Sequence, residues 1–154
     1  MKDPAQAVES MRSLVKRGGR IVVADLVVSE DDEVADFHNR FERLRDPSHV
    51  KSLKISEWKS IFQNLGLRLD RVALSKVRLE VTEWAERAGF PEKRIPELVN
   101  MLEKAPAKAR RVLSVFHRSE QLFFLSARAI LVGIKQEKPP VQKALSLALK
   151  LIRK

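Results

Sequence analysis

The sequence predicts an α/β fold, and three features carry that prediction. Residues 21–28, IVVADLVV, are apolar at both alternating sets of positions except at Asp25, the pattern of a strand covered on both faces as in parallel sheets. Segments of helical and of strand character alternate in the order helix, strand, helices, strand, helices, strand. Glycines stand where helices should stop, at Gly18-Gly19, Gly66 and Gly89, since glycine reaches positive φ without steric cost.

Each element has its own local reason. Residues 5–16 set Val8, Met11 and Val15 on one helical stripe, with Asp3 and Pro4 suited to the N-cap and first helical position and Gly18-Gly19 to its end. After the strand 21–28 and the acidic loop SEDDE, residues 34–45 repeat Val34, Phe37, Phe41 and Leu44 at helical spacing. Pro47 closes that helix, because a residue before proline is disfavoured in the α region. Ser56 is suited to cap the next helix, which carries Trp58, Ile61, Phe62 and Leu65 and ends at Gly66.

From Leu67 to Val81 the chain alternates as Leu67/Leu69, Val72/Leu74 and Val77/Leu79/Val81, a phase that slips twice, which predicts a strand with a bulge or break. Thr82 to Ala88 reads as a short helix stopped by Gly89, and 91–104 as a helix restarted at Pro96. Residues 107–118 carry no clear periodicity. Residues 122–135 read as the last strand, QEKPP at 136–140 as a linker, and 141–153 as an amphipathic basic helix with Val141, Leu145, Ala148, Leu149 and Ile152 on its apolar side.

Composition narrows the function classes. The chain has 154 residues, 44% hydrophobic and 32% charged, enough for one globular domain with a sizeable core. It contains no cysteine, which removes disulfides, thiol nucleophiles and cysteine-based zinc sites and fits a reducing cytoplasm. The first residues turn polar where a secretory leader would turn apolar, and no apolar run reaches the ~18 residues that cross a bilayer. Six of the basic residues (Lys135, Lys138, Lys143, Lys150, Arg153, Lys154) crowd the end of the chain, so half of the net charge of +10 falls there. A body that binds nucleic acid would spread that charge over a surface, which argues against nucleic acid as a partner.

The order of segments resembles a known family. MRSLVKRGGRIVVADLV is similar to the stretch of class I S-adenosylmethionine-dependent methyltransferases that leads from the fourth helix into the fifth strand, with Arg17 in the usual proline position of the turn. FHNRFERLRDPSHVKSLKISEWKSIFQNLGL resembles the quinone- and small-molecule-type subgroup, with its Asn-Arg helix, its Arg-Asp-Pro-Ser-His turn and a Trp-bearing helix before a glycine. TEWAERAGFP and the closing strand fit as well, so the resemblance spans about residues 3–135. It implies an α/β fold equal to the C-terminal half of a Rossmann-like sheet, strands five to seven, with a helical insertion and a C-terminal helix. It divides the chain into a methyltransferase half at 1–135, the linker 136–140 and the basic tail 141–154.

The same resemblance implies S-adenosylmethionine as cofactor and a small-molecule methyl acceptor. The family's cofactor half carries a glycine-rich loop and an acidic residue for the ribose hydroxyls; none of the five glycines here forms such a loop, so the chain holds no complete cofactor site and no cofactor-binding residue is assigned. Strand 21–28 should pair on its far side with a fourth strand, and without it would present a bare apolar edge, a hazard for unwanted pairing. Three readings follow: a truncated or split enzyme contributing the substrate-side half and inactive alone, a non-catalytic methyltransferase-derived module that dimerises or regulates, or a gene fragment. The expected partners are a second copy or a separate cofactor-binding half.

Candidate substrate-side residues are Asp25, His38, Asn39, Arg43 and His49. Asp25 is the one charge in an apolar strand; by resemblance it faces the site, while on its own it reads as a structural carboxylate capping a loop. His38, Asn39 and Arg43 share a helix, with Asn39 and Arg43 neighbours at i, i+4; the resemblance makes it a pocket wall, the plain reading a polar flank. His49 titrates near neutrality and could take a proton, or simply belong to an Asp-initiated turn. Methyl transfer rests mainly on alignment, so no catalytic residue is assigned. Three scattered histidines make no metal site, Trp58 and Trp84 read as core, and His117 as surface. The tail helix could lie weakly on an anionic membrane, dock on a partner or pack on the body.

Overall fold

A computed structural model describes residues 3–136. Its centre is the 15-residue strand β5 (Gln121–Lys135), which runs antiparallel to β1 (Arg20–Val28) on one side and to β3 (Leu67–Glu80) on the other. The short β2 (Leu53–Lys54) adds to β1 in parallel, and β4 (Phe116–Arg118) forms a hairpin with β5. The order across the sheet is β2-β1-β5-β3. Among the described residues, six helices accompany the sheet: α1 (Pro4–Leu14), α2 (Asp32–Arg45), α3 (Ile55–Asn64), α4 (Val81–Glu86), α5 (Ile95–Glu103) and α6 (Ala107–Val112), with a 3-10 turn at Glu92–Arg94.

The sheet has a core on each face, displaced along the strands. Side chains alternate along β5, so Leu122 and Phe124 point one way and Ala129 and Leu131 the other. The first pair packs under α2, α4, α5 and α6, where Phe41, Trp84 and Phe124 contact one another at ring-centroid distances of 4.9–5.5 Å. The second pair packs under α1 and α3 against Val8, Trp58 and Phe62. Both tryptophans are core residues, as their helical positions predict.

At Gly133 the second core leaves no room for a side chain: a Cβ there would lie 2.4 Å from Cε1 of Phe62. The glycine lets α3 settle directly on β5. The first phase slip in β3 is a bulge at Asp70, where the register with β5 shifts between Leu69 and Arg71; at the second, between Leu74 and Val77, the pairing with β5 runs on unbroken. The helix does restart around Pro96: α5 begins at Ile95, with the proline in its first turn after the 3-10 turn.

Several expectations change in detail. Helix α1 begins at Pro4 with Asp3 as its cap, its carboxylate accepting the Gln6 amide at 2.9 Å, but it ends at Leu14, ahead of the glycines. Gly18, at φ 76°, instead makes the turn into β1, and its amide donates to the Lys135 carbonyl at 2.8 Å. Ser56 does not cap α3. Lys54 holds that position, with its amide donating to Glu57 Oε2 at 2.8 Å, and the Ser56 amide donates to Glu30 Oε1 at 3.0 Å.

Lys135 does not belong with the basic tail. Its ammonium donates to the carbonyls of Arg12 and Val15 at 2.8 and 2.9 Å, satisfying the C-terminal end of α1 where a cation is favoured by the helix dipole. The unclear stretch 107–118 becomes α6 and β4, with α6 held near the start of α2 by an ion pair between Lys108 and Asp31.

Strand β1 is covered on one face only over its first half. Ile21 and Val23 are buried, whereas Val22 is 57% exposed, and Ile130 on the same face of β5 is 48% exposed. The expected edge is also there: β2 pairs only with Val27 and Val28. Among the described residues no helix is long and apolar enough to cross a membrane. The linker predicted at 136–140, beyond Gln136, and the tail predicted at 141–154 lie outside the described residues.

Candidate functional site

Helix α2 organises the polar residues of the molecule. Asp31 caps it, its carboxylate accepting the Val34 amide at 3.1 Å, and Val34, Phe37 and Phe41 anchor it in the first core. Its polar side chains then leave the core stripe on two flanks.

On one flank Asn39 is buried and fully engaged. Its amide nitrogen donates to the carbonyls of Ala35 and Ser52 at 3.1 and 3.2 Å. Its Oδ1 accepts the Ser52 amide at 2.7 Å and lies 3.0 Å from Nε2 of His49. An amide oxygen only accepts, so the His49 proton sits on Nε2, and Nδ1 is the ring's proton acceptor. Arg43, one turn on, donates to the Val50 carbonyl at 3.1 Å. Asp46 closes the turn by accepting from the Ser48 amide and hydroxyl at 2.9 and 2.7 Å. Burial holds His49 below its ordinary histidine value, because taking the ring out of water disfavours its charged form.

A polar cleft of about 190 Å³ opens beside this loop, lined by Asp25, Glu42, Arg45, Asp46 and His49 among others. Asp25 is half-buried, and its carboxylate accepts the Leu26 amide at 2.9 Å. So Asp25 and His49, far apart in sequence, do share one cleft, and Asn39 and Arg43 support its wall.

His38 is elsewhere. It lies on the other flank, 3% exposed, and lines a separate cavity of about 220 Å³ at the carboxyl end of β1. Its Nε2 stands 3.8 Å from Oε1 of Glu42, and neither atom has a hydrogen-bond partner among the described residues. Glu42 is itself 1% exposed; its other oxygen takes an ion pair from Arg45 at 3.1 Å, and the Arg45 guanidinium lies 4.2 Å over the Trp84 ring.

Glu42, Arg45 and the fully buried Ser126 were missed by sequence reasoning. Glu42 could have been found: it falls four residues after His38, beside Phe41 in an apolar stripe. Ser126 had only its place in an apolar strand as a signal. His117 pairs with Glu103 at 3.0 Å on the surface, as expected of a surface residue.

A sheet with its long last strand antiparallel between two others, and polar residues gathered at the carboxyl end of β1, is the arrangement of a class I methyltransferase fold. The solved structures agree. The crystal structure of the YcgJ protein from Bacillus subtilis superposes with a TM-score of 0.82 at 27% identity, over 90% of this chain and 60% of that one. A methyltransferase candidate from Bacillus halodurans C-125, BH2331, superposes at 0.83 over 89% of this chain and 65% of its own; at 20% identity it shows the fold alone.

Among curated proteins, the chain is 29% identical over 136 residues to the uncharacterized methyltransferase YcgJ of Bacillus subtilis (strain 168), covering 87% of this chain and 54% of YcgJ. It is 33% identical over 91 residues to the uncharacterized protein YafE of Escherichia coli (strain K12), covering 58% of this chain and 44% of YafE. No family model matches the chain. The chain spans about half the length of the curated relatives it matches.

Proposed function

We propose that residues 3–136 are the substrate-side half of a class I methyltransferase domain, acting in methyl transfer from S-adenosylmethionine to a small molecule once complemented by a cofactor-binding half from outside this sequence. The observation that carries this reading is the incomplete sheet. β5 is antiparallel to β1 and β3, as the family's last strand is to its fifth and sixth, while β1 has a partner on its far side only at Val27 and Val28. A fourth strand of the family would take the remaining edge, and its associated helices would cover Val22 and Ile130.

The residues described do not fit the cofactor by themselves. A close-approach glycine cradle is wanted, yet Gly18, Gly66 and Gly89 sit in turns with open space around them, Gly19 faces its own backbone at 2.7 Å, and Phe62 occupies the space at Gly133. No step through the cofactor is therefore derived from this chain. Its own contribution is the acceptor side: Asp25 and His49 at the polar cleft and His38 in the apolar cavity.

Titration calorimetry with S-adenosylmethionine tests the reading. The chain alone should give no binding heat; a complex with a chain that carries the glycine-rich loop should bind the cofactor and transfer its labelled methyl group. Binding by the chain alone would overturn the half-domain assignment, and so would a sheet edge that no such half can complete. The exposed Val22 and Ile130 favour one alternative, a non-catalytic module that dimerises through this face; a stable dimer that neither recruits a cofactor half nor transfers methyl groups would decide for it.

A further inference from the structure

One face of the sheet is covered at one end and open at the other. Side chains alternate along a strand and paired residues share a face, so Leu122 and Phe124 lie on the same side of β5 as Arg128, Ile130, Val132 and Ile134. The first two are covered by the helices of the first core. The other end is open: Val22 is 57% and Ile130 48% exposed, and Ala24 and Ala73, paired with Ile130 from either side, are exposed as well. A depression of about 350 Å³ lies over Val22 and Val132. Arginines frame this apolar floor. Arg20 and Arg71 line the depression at one end, and Arg128 stands at the other. None of the three has an ion-pair partner among the described residues, and Asp70, the carboxylate that lines the depression, is taken by Arg68 at 3.0 Å.

We propose that this face docks an acidic amphipathic helix of a partner protein, with the helix's apolar stripe on Val22, Ile130 and Val132 and its flanking carboxylates on Arg20, Arg71 and Arg128. The dimensions select a helix. From Arg128 to Ile134 the floor runs about 20 Å at about 3.3 Å per residue, the length of about 14 helical residues. Three strands about 4.8 Å apart make it about as wide as a helix. The charges select the sign, since unpaired arginines around an apolar patch favour a complementary partner and repel a like one. A second copy brings the same arginines to the contact, with no carboxylate but the engaged Asp70 to meet them. The predicted tail at 141–154 contains no Asp or Glu and four basic residues, so it is repelled as well. A bilayer is too flat: beyond Arg128 the same face carries the helices of the first core, which leaves the patch recessed by about one helix diameter. Under the half-domain reading this helix belongs to the cofactor-binding half; that attribution rests on that reading, and the surface does not.

The test uses the full chain without cofactor and three capped synthetic peptides of about 14 residues: one with a leucine stripe flanked by glutamates, the same peptide with lysines for glutamates, and the glutamate peptide scrambled to destroy the stripe. Methyl NMR signals are followed during titration. The glutamate peptide should move the methyls of Val22, Ile130 and Val132 and bind at least tenfold tighter than either control. The double variant Arg71→Glu, Arg128→Glu, changed at exposed positions, should reverse the preference in favour of the lysine peptide. Ile130→Asp, also exposed, should abolish binding while the methyl signals of Val34 and Leu98 in the first core stay in place. Equal binding of the scrambled peptide overturns the proposal, and so does a glutamate peptide that leaves the Val22 and Ile130 methyls unmoved. Three further results overturn it by naming another occupant: a dimer of the free chain that Ile130→Asp dissociates, nuclear Overhauser contacts from Val22 to Leu145 or Leu149 in the free chain, or sedimentation with phosphatidylserine vesicles that Ile130→Asp abolishes. Because no cofactor is present, failure here leaves the half-domain reading intact, and failure of cofactor complementation leaves this surface intact.

Discussion

The two flanks of α2 bury polar side chains in opposite ways. At Asn39 every donor and acceptor is matched, to Ala35, Ser52 and His49. At His38 and Glu42, one turn apart on the other flank, Nε2 and Oε1 face each other without bonding, and both residues are almost fully buried. A saturated network specifies a shape; an unsaturated one costs stability that a bound partner can return. The matched flank therefore fixes the loop 46–52, while the unmatched flank keeps buried polar atoms without a partner among the described residues.

The contrast breaks most sharply at Asn39. Asn39→Ala removes four hydrogen bonds and strands the Ser52 amide and carbonyl in a buried place, so it should lose about 3 kcal/mol in denaturant unfolding. His38→Leu should behave oppositely. No hydrogen bond to its Nε2 is lost, and apolar surface is gained among Val27, Val34 and Leu113, so stability should change by less than about 1 kcal/mol. A loss at His38 as large as that at Asn39 would mean that both flanks are scaffold, and the distinction would fail.

The sequence made the scaffold easier to read than the site, for physical reasons. Apolar period and glycine placement specify elements locally, so the strands 21–28 and 122–135, the bulge at Asp70 and the restart at Pro96 were all legible. Grouping His38, Asn39 and Arg43 by their shared helix was right, but a turn of 3.6 residues puts His38 and Asn39 about 100° apart, so His38 lines the apolar cavity while Asn39 is spent on Ser52 and His49. Asp25 and His49 share a cleft only because loop 46–52 is folded back by Asn39, a long-range fact that local spacing does not contain. Lys135 looked like tail charge because its role depends on α1, which lies more than a hundred residues earlier. Gly133 carried no signal at all: its meaning is the ring of Phe62 against it.

The smallest effect lies in the matched flank's response to pH. Burial lowers the pKa of His49 in the folded chain, while in the unfolded chain it returns to about 6.5. Between the two values the unfolded state binds more protons, so stability rises with pH there, is fully present above about 6.5 and is lost as pH falls through the folded value. Protonation also places a charge in the ring whose Nε2 already serves Asn39. His49→Gln keeps a donor for Asn39 Oδ1 and removes the titration. Its unfolding free energy should therefore match the native chain's near neutrality and fall less steeply on acidification, by under about 1 kcal/mol because the ring is half in solvent. If the native and His49→Gln chains lose stability in parallel below pH 6.5, the proton is being taken up elsewhere, and the flank that looks saturated is not what senses acid.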